Sequence, residues 1–228
     1  MHEGHRERMR AKFLKSGIDM FEDHEILELL LYDAIPRQNT NETAHLLLDQ
    51  FHSFSGVLDA PIGELERVKG VGRSAAVFLK MLPQVCRKYY EDRQEKGKRI
   101  YSLEEAEEML SIKFIGRDKE VVVLLLLDSD SNVLFCDVVA EGSTNAAPIY
   151  MRKIVGLAVE YNANSAILAH NHPSGNPLPS VGDRDVTRNV YEALNSVEVN
   201  LLDHIIFGKK NSVSMSHLNI PEGLFEPF

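Results

Sequence analysis

The sequence predicts an α/β fold, a mixed sheet with packed helices, preceded by a small all-helical domain. Residues 7 to 93 carry a helical pattern in short segments, and residues 91 to 99 are almost all charged. Beyond them, strand-length apolar runs alternate with helix-length patterns, which is how a sheet covered by helices reads in one dimension. The boundary is expected near Gly97, giving a helical domain over 1–97 and a second domain over 98–228.

In the first domain, breaks are expected at Gly17, Pro36, Gly56 and Pro61. Leu65 to Ala76 reads as helix, Gly-x-Gly turn, helix, with Ala75, Phe78, Leu79 and Leu82 on the core face of the second helix and Pro83 as a kink point. Gly70 and Gly72 permit a tight turn whose N–H groups, at a helix N-terminus, can approach a phosphate, and Lys69 and Arg73 add charge. A purely structural or protein-docking hairpin explains the same residues. His5, Arg6, Arg8, Arg10 and Lys12 form a second basic segment.

In the second domain, Ser102 to Ser111 reads as a helix capped by Ser102 with Glu105 three residues on. Val121 to Leu127 is an unbroken apolar run, as in a central strand covered on both faces; Asp128 to Asn132 is turn-forming, and Val133 to Ala140 returns as hairpin partner. Pro148 opens a helix with Met151, Ile154, Val155, Ala158 and Val159 on one face. Ser165 to His170 is the next strand. A helix from Ser180 follows, with Val186, Val190, Leu194 and Val197 at helical spacing, and then strands at Val199 to Phe207 and Val213 to Met215.

Composition narrows the function. The apolar share of 44% is that of a globular chain, and the longest wholly apolar run, Val121 to Leu127, is too short to cross a bilayer. No basic segment followed by an apolar core opens the sequence, so a soluble, cytoplasmic protein with no membrane partner is expected. Cys86 and Cys136 fall in different domains, which fits a reducing compartment; with no C-x-x-C pair, zinc-deaminase chemistry is set aside. The net charge of −9 is uneven: residues 1 to 98 hold 15 Lys and Arg against 16 Asp and Glu, residues 99 to 228 hold 10 against 18. Any nucleic-acid contact therefore belongs to the first domain.

The chemistry concentrates at His170-Asn171-His172-Pro173, with Ser180 and Asp183 eight and eleven residues after the second histidine. Residues two apart on a strand face the same way, so the strand ending here delivers both imidazoles to one point, and Asp183 joins them from the first turn of the next helix. Two imidazoles and one carboxylate make a divalent-metal site with an open position, as in catalytic zinc centres. Ser180 and Asp183 are equally the two ends of a helix capping box, which accounts for them without a metal. The turn-rich Pro-Ser-Gly-Asn-Pro loop beside two histidines is what the capping reading leaves unexplained.

His170, His172, Ser180 and Asp183 match the H-x-H, seven residues, S-x-x-D signature and so resemble the JAMM (MPN-type) metalloproteases. His-Asn-His-Pro-Ser-Gly, Leu202-Asp203-His204-Ile205-Ile206, Gly4-His5-Arg6-Glu7-Arg8 and Glu25-Ile26-Leu27-Glu28-Leu29-Leu30 resemble bacterial RadC proteins more closely, over most of the chain. The resemblance implies a JAMM/MPN, cytidine-deaminase-like fold and one Zn2+ per chain held by His170, His172 and Asp183. It also implies hydrolysis of a peptide or isopeptide bond by a metal-bound hydroxide. Glu120, ahead of the apolar strand, matches the glutamate that handles the proton in that family; by composition alone it is a surface charge in Arg117-Asp118-Lys119-Glu120. Glu141 competes for the role, and an acid just before Gly142 departs from the family pattern. Ser180 can donate to the oxyanion. Asn171 is expected to face away from the metal, and Asp203 with His204 to form a structural hydrogen-bonding pair.

The Leu65 to Ala76 segment resembles a helix-hairpin-helix motif, which implies non-specific DNA contact through Lys69, Gly70, Gly72 and Arg73. Three readings stay open: a zinc metalloprotease or isopeptidase; a DNA repair or accessory protein with an idle or phosphodiester-directed site; and a non-catalytic interaction module. The substrate and the oligomeric state are not encoded in any motif of the chain.

Overall fold

The computed structural model describes residues 3–36, 38–94, 97–142 and 147–225. The chain divides into two compact units, residues 1–86 and 87–228. Their junction lies inside one long helix, so the charged stretch from Glu91 belongs to the second unit; its Glu95 and Lys96 fall outside the described residues.

The first unit is helical: α1 (Glu3–Ser16), α2 (Asp23–Ala34), α3 (Thr40–Phe51), α4 (Phe54–Asp59), α5 (Ile62–Leu65) and the start of α6 (Arg73–Arg93). Leu27, Leu31, Leu47, Val57, Leu65 and Leu79 are fully buried at its centre. Gly56, expected as a break, lies inside α4. The Ser53 hydroxyl caps the helix by accepting from the Gly56 N–H at 3.0 Å, and a Cβ on residue 56 would stand 2.2 Å from the Phe51 carbonyl oxygen. The glycine is there for a close approach rather than a stop. Helix α6 continues through Pro83.

The N-terminal basic segment is largely engaged within this unit. The Arg6 guanidinium lies over the Tyr32 ring and donates to the Tyr32, Ile35 and Gln38 carbonyls, closing the C-terminal end of α2. His5 meets the buried carboxylate of Glu28, Lys12 pairs with Glu25, and Arg10 pairs with Glu7 and Asp33. These side chains order α1 against α2, a structural role that the sequence pattern did not distinguish from phosphate binding.

The second unit holds the end of α6, α7 (Leu103–Ser111) with a 3-10 turn at Ile112–Phe114, β1 (Val121–Leu127), β2 (Val133–Glu141), α8 (Ala147–Glu160), β3 (Ser165–Asn171), α9 (Val181–Asn195), β4 (Asn200–Phe207) and β5 (Ser212–Ser214). The five strands form one mixed sheet in the order β2-β1-β3-β4-β5; only β3 and β4, joined through α9, run parallel. A parallel pair needs such a crossover, while the antiparallel β1 and β2 need only the turn at Asp128 to Asn132. All seven residues of β1 are buried because both faces are covered. Val122, Leu124, Leu126, Ala166 and Leu168 pack with α8 and α9 residues Ile154, Ala158, Val190 and Leu194. Val123, Leu125, Leu127, Ile167 and Ala169 pack with α7 residues Leu103, Ala106 and Leu110. Val159, expected on the inner face of α8, is 60% exposed, because a face set by Ile154 and Ala158 turns it outward.

The architecture is thus the mixed α/β fold with an N-terminal helical region that the sequence predicted. Among the described residues no helix is long and apolar enough to cross a membrane.

Candidate metal centre

The central strand β3 brings His170 to its C-terminal end on the face shared with Leu168, the face covered by α9. His172 lies one step beyond the strand, and its N–H donates to the Phe207 carbonyl at 2.8 Å, so the parallel ladder with β4 still holds it. Ser180 is the N-cap of α9: its Oγ accepts from the Asp183 N–H at 3.1 Å, and its own N–H donates to Asp183 Oδ2 at 2.7 Å. The capping box is therefore present. It aims the Asp183 carboxylate rather than competing with the site: Oδ1 lies 3.2 Å from His170 Nε2 and Oδ2 lies 3.4 Å from His172 Nε2, with the two Nε2 atoms 3.0 Å apart.

These ligand atoms of His170, His172 and Asp183 all lie within 4.8 Å of one another. His170 and Asp183 are each 3% exposed, and the His172 side chain is 17% exposed. The other nitrogen of each ring is occupied. His172 Nδ1 stands 2.7 Å from the Asn176 carbonyl, which can only accept, so Nδ1 carries the proton and Nε2 keeps its lone pair. His170 Nδ1 lies 2.7 Å from Nε2 of the buried His204, whose Nδ1 lies 2.6 Å from Thr187 Oγ1. Imine nitrogens and carboxylate oxygens converging this closely repel one another unless a cation or a proton sits among them, so the donor set fits a divalent metal such as zinc. Burial alone would push the Asp183 carboxyl up. Hydrogen bonds that its oxygens accept, among them the one from the Ser180 N–H, outweigh it and hold the group well below the usual carboxylate range.

Glu120 precedes β1, partly exposed. The antiparallel register pairs Val122 with His170; Glu120 lies two residues before Val122 and His172 two residues after His170, both just beyond the paired residues. Glu141, at the end of β2, pairs with Val121 and so belongs to the opposite, α7-covered face. Asn171 faces away from the metal ligands, as expected, but it is not idle. Buried at 6% exposure, it accepts from the Val121 N–H and donates to the Lys119 carbonyl, holding the backbone on both sides of Glu120. Asp203 and His204 do not pair through their side chains. The Asp203 carboxylate accepts from Ser214 Oγ and from the Ser216 and His204 N–H groups, while the His204 ring turns to His170. Burial pushes the His204 imidazole well below its ordinary range. Neither the Asn171 brace nor the His204 contact has a local sequence signal, because their partners are remote in the chain.

In the first unit the Gly-Val-Gly turn lies between α5 and α6. Gly70 has φ +91° and packs against Thr43; Gly72 has open space. Lys69 and Arg73 are exposed beside it and pair with Glu42 and Glu66.

Residues 100–220 match the RadC-like JAB domain. The chain belongs to the RadC-like JAB-domain family. Residues 3–77 of this RadC-like chain match the UPF0758 N-terminal domain. A UPF0758 protein of Ruegeria pomeroyi is 35% identical over 210 residues, covering 92% of this chain and 94% of the relative. A UPF0758 protein of Fusobacterium nucleatum subsp. nucleatum is 34% identical over 230 residues, covering 98% and 97%.

Proposed function

We propose that the RadC-like domain is a zinc-dependent hydrolase of peptide or isopeptide bonds, with His170, His172 and Asp183 holding one ion. The observation that carries the reading is the convergence of two Nε2 atoms and one carboxylate while both Nδ1 atoms are engaged elsewhere. Bound there, zinc would supply Lewis acidity and lower the pKa of its water to ~7. Glu120 takes the proton of the attacking water and passes it to the leaving amine; its support over Glu141 is the register, which turns Glu141 to the face opposite His170 and leaves Glu120 two residues from Val122, the partner of His170. The Ser180 Oγ accepts from the helix backbone, and its hydroxyl hydrogen serves the developing oxyanion.

The test is elemental analysis of the purified chain, followed by assay against peptide and isopeptide substrates. Wild type is expected to hold about one zinc per chain. Glu120→Gln keeps the zinc and loses about 10²–10⁴-fold in rate. Full activity in Glu120→Gln with loss in Glu141→Gln would reverse the assignment of the base, and folded wild type that takes up no zinc would remove the hydrolase reading.

A second reading concerns the helical unit. Lys69 and Arg73 flank a turn where Gly72 leaves room for a phosphate, and their partners are the exposed Glu42 and the half-buried Glu66, reached from exposed cations in pairs weak enough to exchange. Non-specific DNA contact there predicts binding that weakens steeply with salt and is reduced in Arg73→Ala.

A further inference from the structure

We infer that Thr187 and His204 form a one-directional proton-ordering chain that fixes the tautomer of His170, leaving its Nε2 lone pair facing His172 and Asp183. The chain starts at a group that cannot reverse. The Asp183 carbonyl oxygen, 2.5 Å from Thr187 Oγ1, can only accept, so the Thr187 hydroxyl donates its single hydrogen there. Met215 Sδ, at 3.5 Å, is a weaker acceptor on the same hydroxyl and would likewise draw the hydrogen away from His204.

With that hydrogen spent, the 2.6 Å contact between Thr187 Oγ1 and His204 Nδ1 requires the ring to donate. The His204 side chain is buried between a hydroxyl and an imidazole, its neighbour Asp203 being engaged with Ser214 and Ser216, so the ring carries one proton and its Nε2 accepts. His170 must then donate from Nδ1 across 2.7 Å. Its Nε2 is left as the nitrogen facing Asp183 Oδ1 at 3.2 Å.

The chain closes on itself. Thr187 stands one helical turn after Asp183, so the backbone that carries one ligand also orders the ring of another, through a histidine on β4. Thr187 and His204 are positioning residues, acting only through His170. The inference rests on the metal reading of the site for its consequence, but the proton order can be read without a metal.

The experiment uses the full chain with 15N-labelled histidine. Long-range 1H–15N correlation is expected to report His204 protonated at Nδ1 in wild type. In Thr187→Val, of nearly the same shape, His204 is expected to turn to the Nε2–H form. That change reverses the bond to His170 and moves its proton to Nε2. Zinc affinity by chelator competition is then expected to fall about 10–100-fold, while Thr187→Ser keeps both wild-type tautomer and affinity. An Nε2–H tautomer of His204 in wild type would overturn the chain, as would undiminished zinc affinity in folded Thr187→Val. If wild type shows the Nδ1–H tautomer but takes up no zinc, the metal reading fails and the proton order stands.

Discussion

The side-chain amide of Asn171 takes the place of backbone pairing at Val121: Oδ1 accepts the Val121 N–H at 2.8 Å and Nδ2 donates to the Lys119 carbonyl at 3.1 Å. The residue between His170 and His172 therefore fixes the segment that bears Glu120. Asn171→Ala leaves two backbone groups short of partners, a cost of about 1–3 kcal/mol for each that stays buried. Reduced urea stability with unchanged zinc content is the expected result, and a loss of zinc instead would place Asn171 in the ligand set.

Asp183→Asn separates the two roles of this residue. The amide oxygen can still accept from the Ser180 N–H, so the start of α9 is retained, while the charge that completes the donor set is gone. Zinc uptake and the zinc-dependent rise in Tm are expected to disappear, with helix content by circular dichroism preserved.

The same carboxyl has a signature in acid. Its folded-state pKa lies below the unfolded value, so its contribution to stability is complete above about pH 4 and is lost as pH falls through the folded value. The difference in urea stability between zinc-free wild type and Asp183→Asn is expected to be constant from pH 7 to pH 5 and to shrink below pH 4. A difference that grows in acid would contradict the sign.

Cys136 and Cys86 are expected to react very differently. Burial pushes the Cys136 thiol up to about 11, so at pH 8 only about 0.1% is thiolate, whereas Cys86 is exposed. A thiol reagent should label Cys86 in the native chain and Cys136 only on unfolding. Because the unfolded thiol ionises first, this group's contribution falls as pH rises above about 8.5.

Gly70→Ala forces a side chain into φ +91° and sets its Cβ 2.6 Å from Thr43 Oγ1, at a cost of about 1–3 kcal/mol in the helical unit. Gly72→Ala meets no atom within 4 Å and is expected to leave Tm within about 2 °C, a change of under about 0.5 kcal/mol. Equal losses at both positions would indicate that the turn is not held by Thr43. Any DNA-binding test of this hairpin is therefore cleaner at Arg73 than at Gly70.

The sequence by itself determined the elements and the grouping of His170, His172 and Asp183. An unbroken apolar run made β1 a covered strand, and the H-x-H spacing brought His170, on β3, and His172, one step beyond it, together, since both follow from periods carried by neighbouring residues. The Ser180-to-Asp183 spacing was legible as a helix cap for the same reason. Tertiary structure alone decided which face Glu141 occupies, because the parity of a strand is fixed only when its register with another strand is set. It alone brought His204 to His170, 34 residues away, and Asn171 to Val121, 50 residues away. It also showed the basic residues of α1 engaged with α2, a pairing between side chains that no local spacing could specify. Local periodicity encodes what a residue is near along the chain; what it touches across the sheet is encoded only in how the strands and helices pack.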